Sequence, residues 1–214
     1  MRQRRIKNVD EKIMTHGSFL IEDPHEFKGR WTDAVPGEGP LYIEIGCGKG
    51  KFITGLAVRN PERRFIGFEG HQSVALHALE KAESLECGNV HFVLQYVNGL
   101  TEIFDKGEID GIYLNFSDPW PKARHEKRRL TCGPRLREYS AVLKPGGFIE
   151  FKTDNDGLFE YSIDEIRKQE DMEILELSRD LHGDFPEESI VTTEYEEKFS
   201  AAGKKINYVR IKTL

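Results

Sequence analysis

Leu41-Tyr42-Ile43-Glu44-Ile45-Gly46-Cys47-Gly48-Lys49-Gly50 is the stretch on which the reading of this chain turns. Leu41 to Ile45 is apolar and rich in β-branched and aromatic side chains, which suits a buried strand. Glycines directly after a strand let the backbone turn tightly and approach a ligand closely. Phe52, Ile53, Leu56 and Ala57 then recur at helical spacing and stop before Pro61. The unit is therefore strand, glycine turn, helix. It is not the dinucleotide fingerprint, which needs glycine at 51, where Lys51 stands. Nor does the chain hold the GxxxxGK[ST] of a phosphate-cradling loop.

Working outward, the same alternation continues. Strand patterns lie at 65–69, 90–96, 110–116, 148–154, 172–181 and 207–214. Helical patterns lie at 73–85, 100–107, near 134–143 and near 156–169. Strands alternating with helices predict an α/β fold, a mostly parallel twisted sheet with helices on both faces. Ligands in such sheets bind beyond the carboxyl ends of the strands. Residues 1–35 carry Arg2, Arg4, Arg5 and Lys7 and read as a basic N-terminal arm. The turn formers Pro36-Gly37-Glu38-Gly39-Pro40 mark the start of a single domain over 36–214.

Composition narrows the classes. The chain has 214 residues, 32% of them charged, and a net charge of −6. No apolar run reaches the roughly 18 residues of a membrane helix. Cys47, Cys87 and Cys132 form no CxxC pair and are odd in number, so neither a disulfide framework nor a zinc site is expected, and a reducing cytoplasm fits. His16, His25, His71, His77, His91 and His182 have no ligand-like spacing, and no metal site is expected.

The E-x-G-x-G-x-G pattern of Glu44, Gly46, Gly48 and Gly50 resembles the S-adenosylmethionine-dependent methyltransferases. The resemblance implies that this loop wraps the methionine half of the cofactor and that Glu44 meets its ammonium. Glu69, at the end of the second strand, is placed to accept from both ribose hydroxyls. At the third strand end, where relatives carry an acidic residue for the adenine half, this chain has Tyr96 and Asn98. Tyr96 reads equally as a strand-end aromatic covering the core.

The fourth strand ends in Asn115-Phe116-Ser117-Asp118-Pro119-Trp120-Pro121-Lys122, then Ala123-Arg124-His125-Glu126-Lys127-Arg128-Arg129-Leu130-Thr131. Two prolines stiffen the loop, and residues 122–129 hold five Lys/Arg against one Glu. This run is similar to the signature of the bacterial tRNA (guanine-N7)-methyltransferases. The likeness extends to Lys144-Pro145-Gly146-Gly147, to 151–155, to 157–161 and to 193–200, and departs at Tyr96 and at Cys132, where an aromatic is usual. It implies a Rossmann-like methyltransferase fold of about seven strands, the last antiparallel. It implies Asp118 as the central catalytic residue, also touching cofactor, and Lys122, Asp154 and Thr193-Glu194-Tyr195-Glu196 as contacts to the substrate guanine. It implies tRNA interaction at Arg124, His125, Lys127, Arg128 and Arg129, with the guanosine at position 46 of the variable loop as target. The chain would act as a monomer or a homodimer.

Two other readings follow from the residues. Methyltransferases for exocyclic amines often carry N/D-P-P-Y/F/W at this strand end, but Asp118-Pro119-Trp120 lacks the second proline. A non-enzymatic RNA-binding module would use only the basic run. A net negative charge opposes nucleic-acid binding, but here it is unevenly spread. Residues 154–197 hold sixteen Asp/Glu and three Lys/Arg, so the rest of the chain is net positive. Five engaged cations predict a log–log salt slope of about −3.5 on single-stranded-like RNA.

Overall fold

The computed structural model describes residues 6–214, so Arg2, Arg4 and Arg5 of the expected arm lie outside the described residues. The strands are β1 (Leu41–Ile45), β2 (Arg64–Phe68), β3 (Val90–Val93), β4 (Ile109–Asn115), β5 (Leu143–Thr153), β6 (Met172–Ser178) and β7 (Asn207–Thr213). They form one sheet in the order β3-β2-β1-β4-β5-β7-β6. β1 to β5 run parallel, and β7 runs antiparallel between β5 and β6. This is the mixed, mostly parallel sheet that the alternation predicted.

The helices are α1 (Val9–Met14), α2 (Lys51–Arg59), α3 (Gln72–Ser84), α4 (Leu100–Ile103), α5 (Gly133–Val142), α6 (Asp156–Arg167), α7 (Leu181–Asp184) and α8 (Glu194–Ser200). Period-2 alternation in β1 sends Leu41, Ile43 and Ile45 into one core, with α5 and α6. Tyr42 goes into the other core, with Phe52 and Ile53 of α2 and Leu76 and Leu79 of α3. Both faces of β1 are buried, which is why it reads as a near-continuous apolar run.

Several boundaries differ from expectation for identifiable reasons. Helix α4 ends at Ile103 because Phe104 turns extended and stacks on Trp31 at 4.7 Å. Lys144–Gly147 loops out within β5, between the pairs Ile109–Leu143 and Gly111–Phe148. Residues 6–35 lie on the domain: Ile21, Trp31 and Val35 belong to the main core, and the Trp31 indole donates to the Ile103 carbonyl at 3.1 Å. The described part of the lead-in is thus continuous with the packing of the 36–214 segment. Among the described residues no helix is long and apolar enough to cross a membrane. Nor do three or more His, Cys, Asp or Glu gather among them as they would around a metal ion.

Candidate active site

Every strand-end residue singled out above lies on one rim of the sheet. Gly46 and Gly48 sit at φ 79° and 59°, the left-handed region where glycine carries no steric cost. A Cβ at either would meet nothing within 4 Å, so the two glycines border open space. Gly50, at φ 78°, does different work: a Cβ there would come 2.7 Å from the Ala78 Cβ. Its bareness seats the start of α2 against α3.

Glu44 points to the same face as Tyr42, beneath α2. It is 1% exposed. Asn115 Nδ2 donates to its Oε1 at 2.8 Å, while Oε2 is buried without a hydrogen-bond partner among the described residues. Burial raises its carboxyl to about 8, the Asn115 bond working against this and Glu194 adding to it. A buried oxygen without a donor is costly, and it is the feature an ammonium ligand would satisfy. Glu69 is pre-set for a second task. Its Oε2 accepts from the Gly48 N–H at 3.1 Å and its Oε1 from the His71 N–H at 2.8 Å, and each oxygen keeps a lone pair for a hydroxyl. These acceptors and the open glycine turn fit S-adenosylmethionine. Tyr96 is 69% exposed, and its ring lies against Gly70, where a Cβ would come within 2.5 Å. Tyr96 therefore flanks Glu69 and does not roof the core. Asn98 is exposed, and its carbonyl is held by Arg135 at 3.0 Å.

The loop after β4 is strained at both ends, with Phe116 at φ 51° and Trp120 at φ 39°, a conformation that costs about 1–3 kcal/mol per residue and clusters at functional sites. Asp118 is exposed between them, and Lys122 and Arg124 are exposed beyond. Arg128 stacks over the Trp120 ring at 4.8 Å, whose edge meets His125 at 5.5 Å. Arg129 instead turns inward, donating to the Pro119 and Trp120 carbonyls.

Residues 193–196 are not a loop but the start of α8. Thr193 Oγ1 accepts from the Glu196 N–H, and the Glu196 carboxylate accepts from the Thr193 N–H. This capping box satisfies two otherwise unpaired helix-end donors. Glu196 is fully buried and pairs with Lys152 Nζ at 3.2 Å and His182 Nε2 at 3.0 Å. Thr193 is half-buried and Glu196 fully buried, and both side chains are engaged in the local fold. Glu194 and Glu197 form ion pairs with Lys81 of α3 and Lys51 of α2, which ties α8 across the glycine turn. Tyr195 is the residue of this segment that faces the rim. Its ring is stacked on Phe199 at 4.2 Å and leans on Phe116 at 5.0 Å, and its hydroxyl donates to Asp154 Oδ2 at 3.4 Å. The N-cap of α6 is Asn155, whose side chain accepts from the Leu158 N–H at 2.8 Å. Asp154 is free of that structural duty.

A family model described as "Putative methyltransferase" matches residues 38–209. A tRNA (guanine-N(7)-)-methyltransferase of Lactococcus lactis subsp. cremoris (strain MG1363) is 45% identical over 100% of this chain and 99% of its own length. The chain belongs to the tRNA (guanine-N(7)-)-methyltransferase family. The Bacillus subtilis (strain 168) enzyme of that name is 43% identical, covering 96% of each chain. Among solved structures, an antibiotic-related methyltransferase superposes with a TM-score of 0.65 at 18% identity, over 92% of this chain and 97% of that one. A geranyl diphosphate C-methyltransferase from Streptomyces coelicolor A3(2), in complex with S-adenosyl-L-homocysteine, gives 0.53 at 20% identity over 88% and 74%. At such identities the likeness is one of fold, and it is the Rossmann-like methyltransferase fold. As a methyltransferase the chain uses S-adenosylmethionine, with Glu44, Glu69 and the glycine turn as the residues suited to it. Asn115 and Lys152 of this methyltransferase escaped sequence reading. Both stand at strand ends on the Glu44 face, where β-strand alternation from Tyr113 and Glu150 would have placed them.

Proposed function

We propose that this chain transfers the methyl group of S-adenosylmethionine to N7 of the guanosine at position 46 in the tRNA variable loop. The products are N7-methylguanosine and S-adenosylhomocysteine. The observation that carries the reading is the buried Glu44 Oε2, without a hydrogen-bond partner among the described residues, on the same rim as Asp118 and an exposed cationic run. One group would hold a cationic ligand, and the other the phosphates of a nucleic acid.

When bound, the cofactor supplies a methyl group on a positively charged sulfur. Glu44 takes its ammonium, and Glu69 its ribose hydroxyls. Asp154 and the Tyr195 hydroxyl face the guanine edge that carries N1–H and N2–H₂, and Lys122 donates to O6. The Tyr195 ring is already stacked on Phe199 and leans on Phe116, so Tyr195 acts through its hydroxyl. A base must leave its stack to reach such a pocket. N7 offers a lone pair, so no residue must remove a proton before attack, and catalysis is mainly positioning. Asp118 holds the base and cofactor in line. Arg124, His125, Lys127 and Arg128 meet the backbone of the tRNA. Such a substrate places the chain in the cytoplasm.

The test is transfer of labelled methyl to tRNA transcripts with and without a guanosine at position 46, with the product mapped by borohydride and aniline cleavage. Label that depends on this guanosine and yields cleavage supports the reading. Equal labelling of both transcripts overturns the site, and uncleavable product overturns N7.

A further inference from the structure

Arg129 stands in the cationic run, but its geometry separates it from its neighbours. Its Nε donates to the Pro119 carbonyl at 3.2 Å and its Nη2 to the Trp120 carbonyl at 3.1 Å. Its Cζ lies 4.1 Å from the centre of the Tyr161 ring of α6. The loop needs such a donor from outside. Pro119 and Pro121 contribute no N–H, and Trp120 sits in the left-handed region at φ 39°, which a bulky residue keeps only when its surroundings hold it there. A planar guanidinium can reach two carbonyls at once while its face rests on an aromatic ring, and an ammonium cannot. The neighbouring Lys122, Arg124, Lys127 and Arg128 are exposed, whereas Arg129 is half-buried.

We infer that Arg129 is a positioning residue for Asp118, clamping the loop that carries it onto Tyr161 and α6, and that it is not one of the phosphate contacts. The inference rests on the proposed methyl transfer for its kinetic readout, but not for its structural one. The structural readout uses the two tryptophans of the chain. Trp31 is 1% exposed, so acrylamide quenching reports on Trp120 and needs no tRNA.

The experiment compares Arg129→Ala, Arg129→Lys, Tyr161→Leu and Arg128→Ala in the full chain. Both Arg129 variants should lose about 100-fold in kcat, the order expected for a misplacement near 1 Å. Their KM for tRNA should change less than about twofold, and the salt slope of tRNA binding should not change. Tyr161→Leu should follow them in part, and all three should make Trp120 more quenchable. Arg128→Ala should instead weaken tRNA binding and reduce the slope by about 0.7. An Arg129→Lys variant with full kcat and unchanged quenching overturns the inference. So does an Arg129→Ala variant that lowers the salt slope with kcat intact. A wild-type chain inactive on every tRNA would count against the proposed function and leave the quenching comparison to decide the clamp.

Discussion

Asn115 Nδ2 donates to Glu44 Oε1 at 2.8 Å, and the second oxygen of that carboxylate is buried with no donor among the described residues. One side chain thus orients the carboxylate and leaves its other oxygen to receive a ligand's donor. Because burial raises this carboxyl to about 8, the free protein holds it largely protonated at neutral pH.

Cofactor binding should therefore release a proton. At pH 7 a Glu44 carboxyl held near 8 is mostly protonated in the free protein and ionises on meeting an ammonium. Calorimetry in buffers of different ionisation enthalpy should show net proton release on binding. Glu44→Gln should abolish the release and weaken binding. Binding of wild type with no proton exchange would refute the assignment.

The same shift has a sign for stability. The folded pKa of about 8 lies above the ordinary carboxyl value of 4.5. Its contribution is complete below the lower value and is lost as pH rises through the upper one. Without cofactor, wild type should lose stability relative to Glu44→Gln between pH 5 and pH 8.5 in urea titrations. A parallel pH dependence in the two proteins would exclude a raised Glu44.

Asp118→Ala should lose most turnover, by a factor of at least about 100 in kcat. Single-turnover methyl transfer is the measurement. Retained full activity would remove Asp118 from the mechanism.

Lys152 and Glu196 are 3% and 0% exposed. Breaking a buried pair leaves an uncompensated charge, at a cost of about 3–5 kcal/mol. His182 still reaches Glu196, so Lys152→Met should fall at the lower end, a drop in Tm of roughly 6–12 °C for a chain of this size. Adding Glu196→Gln to it should restore part of the loss. A double variant worse than the single one would show that the pair is not the source.

With Arg129 turned inward and Lys122 on the guanine O6, three cations, Arg124, Lys127 and Arg128, remain for phosphate. The log–log salt slope of tRNA binding should be about −2.1 on single-stranded-like RNA, shallower than the five-cation value. A slope near zero would make the run a solvated face.

The β1 turn and the order of strands and helices were legible because most apolar runs carry the pattern of their element and several end in glycine or proline. That Glu44, Glu69 and Asp118 lie at strand ends was legible as well, since such sheets bind ligands there, and the roles expected of Glu44 and Asp118 came from the family resemblance. α8 was not, since Glu194–Ser200 is mostly charged and has no apolar stripe. Its one local signal was the Thr193-x-x-Glu196 spacing of a capping box, which a functional reading of the same residues hides. Arg129 was hidden for a related reason. Sequence shows a cation among cations, and only the fold shows which carbonyls it faces. Trp31 and Val35 were missed because they lie in turns, which carry no periodicity to mark them as core.

The place of β7 has a consequence for how the molecule is made. β7 is threaded between β5 and β6, so a nascent chain that has emerged only as far as α8 has β5 with a bare edge and β6 with no sheet neighbour. Such edges invite pairing with other chains. The carboxylates of α8 meet Lys51, Lys81 and Lys152 on elements made much earlier. The roof of the cleft and the strand that seals the sheet are thus both late arrivals during synthesis, and catalytic competence should appear only after β7 has cleared the ribosome.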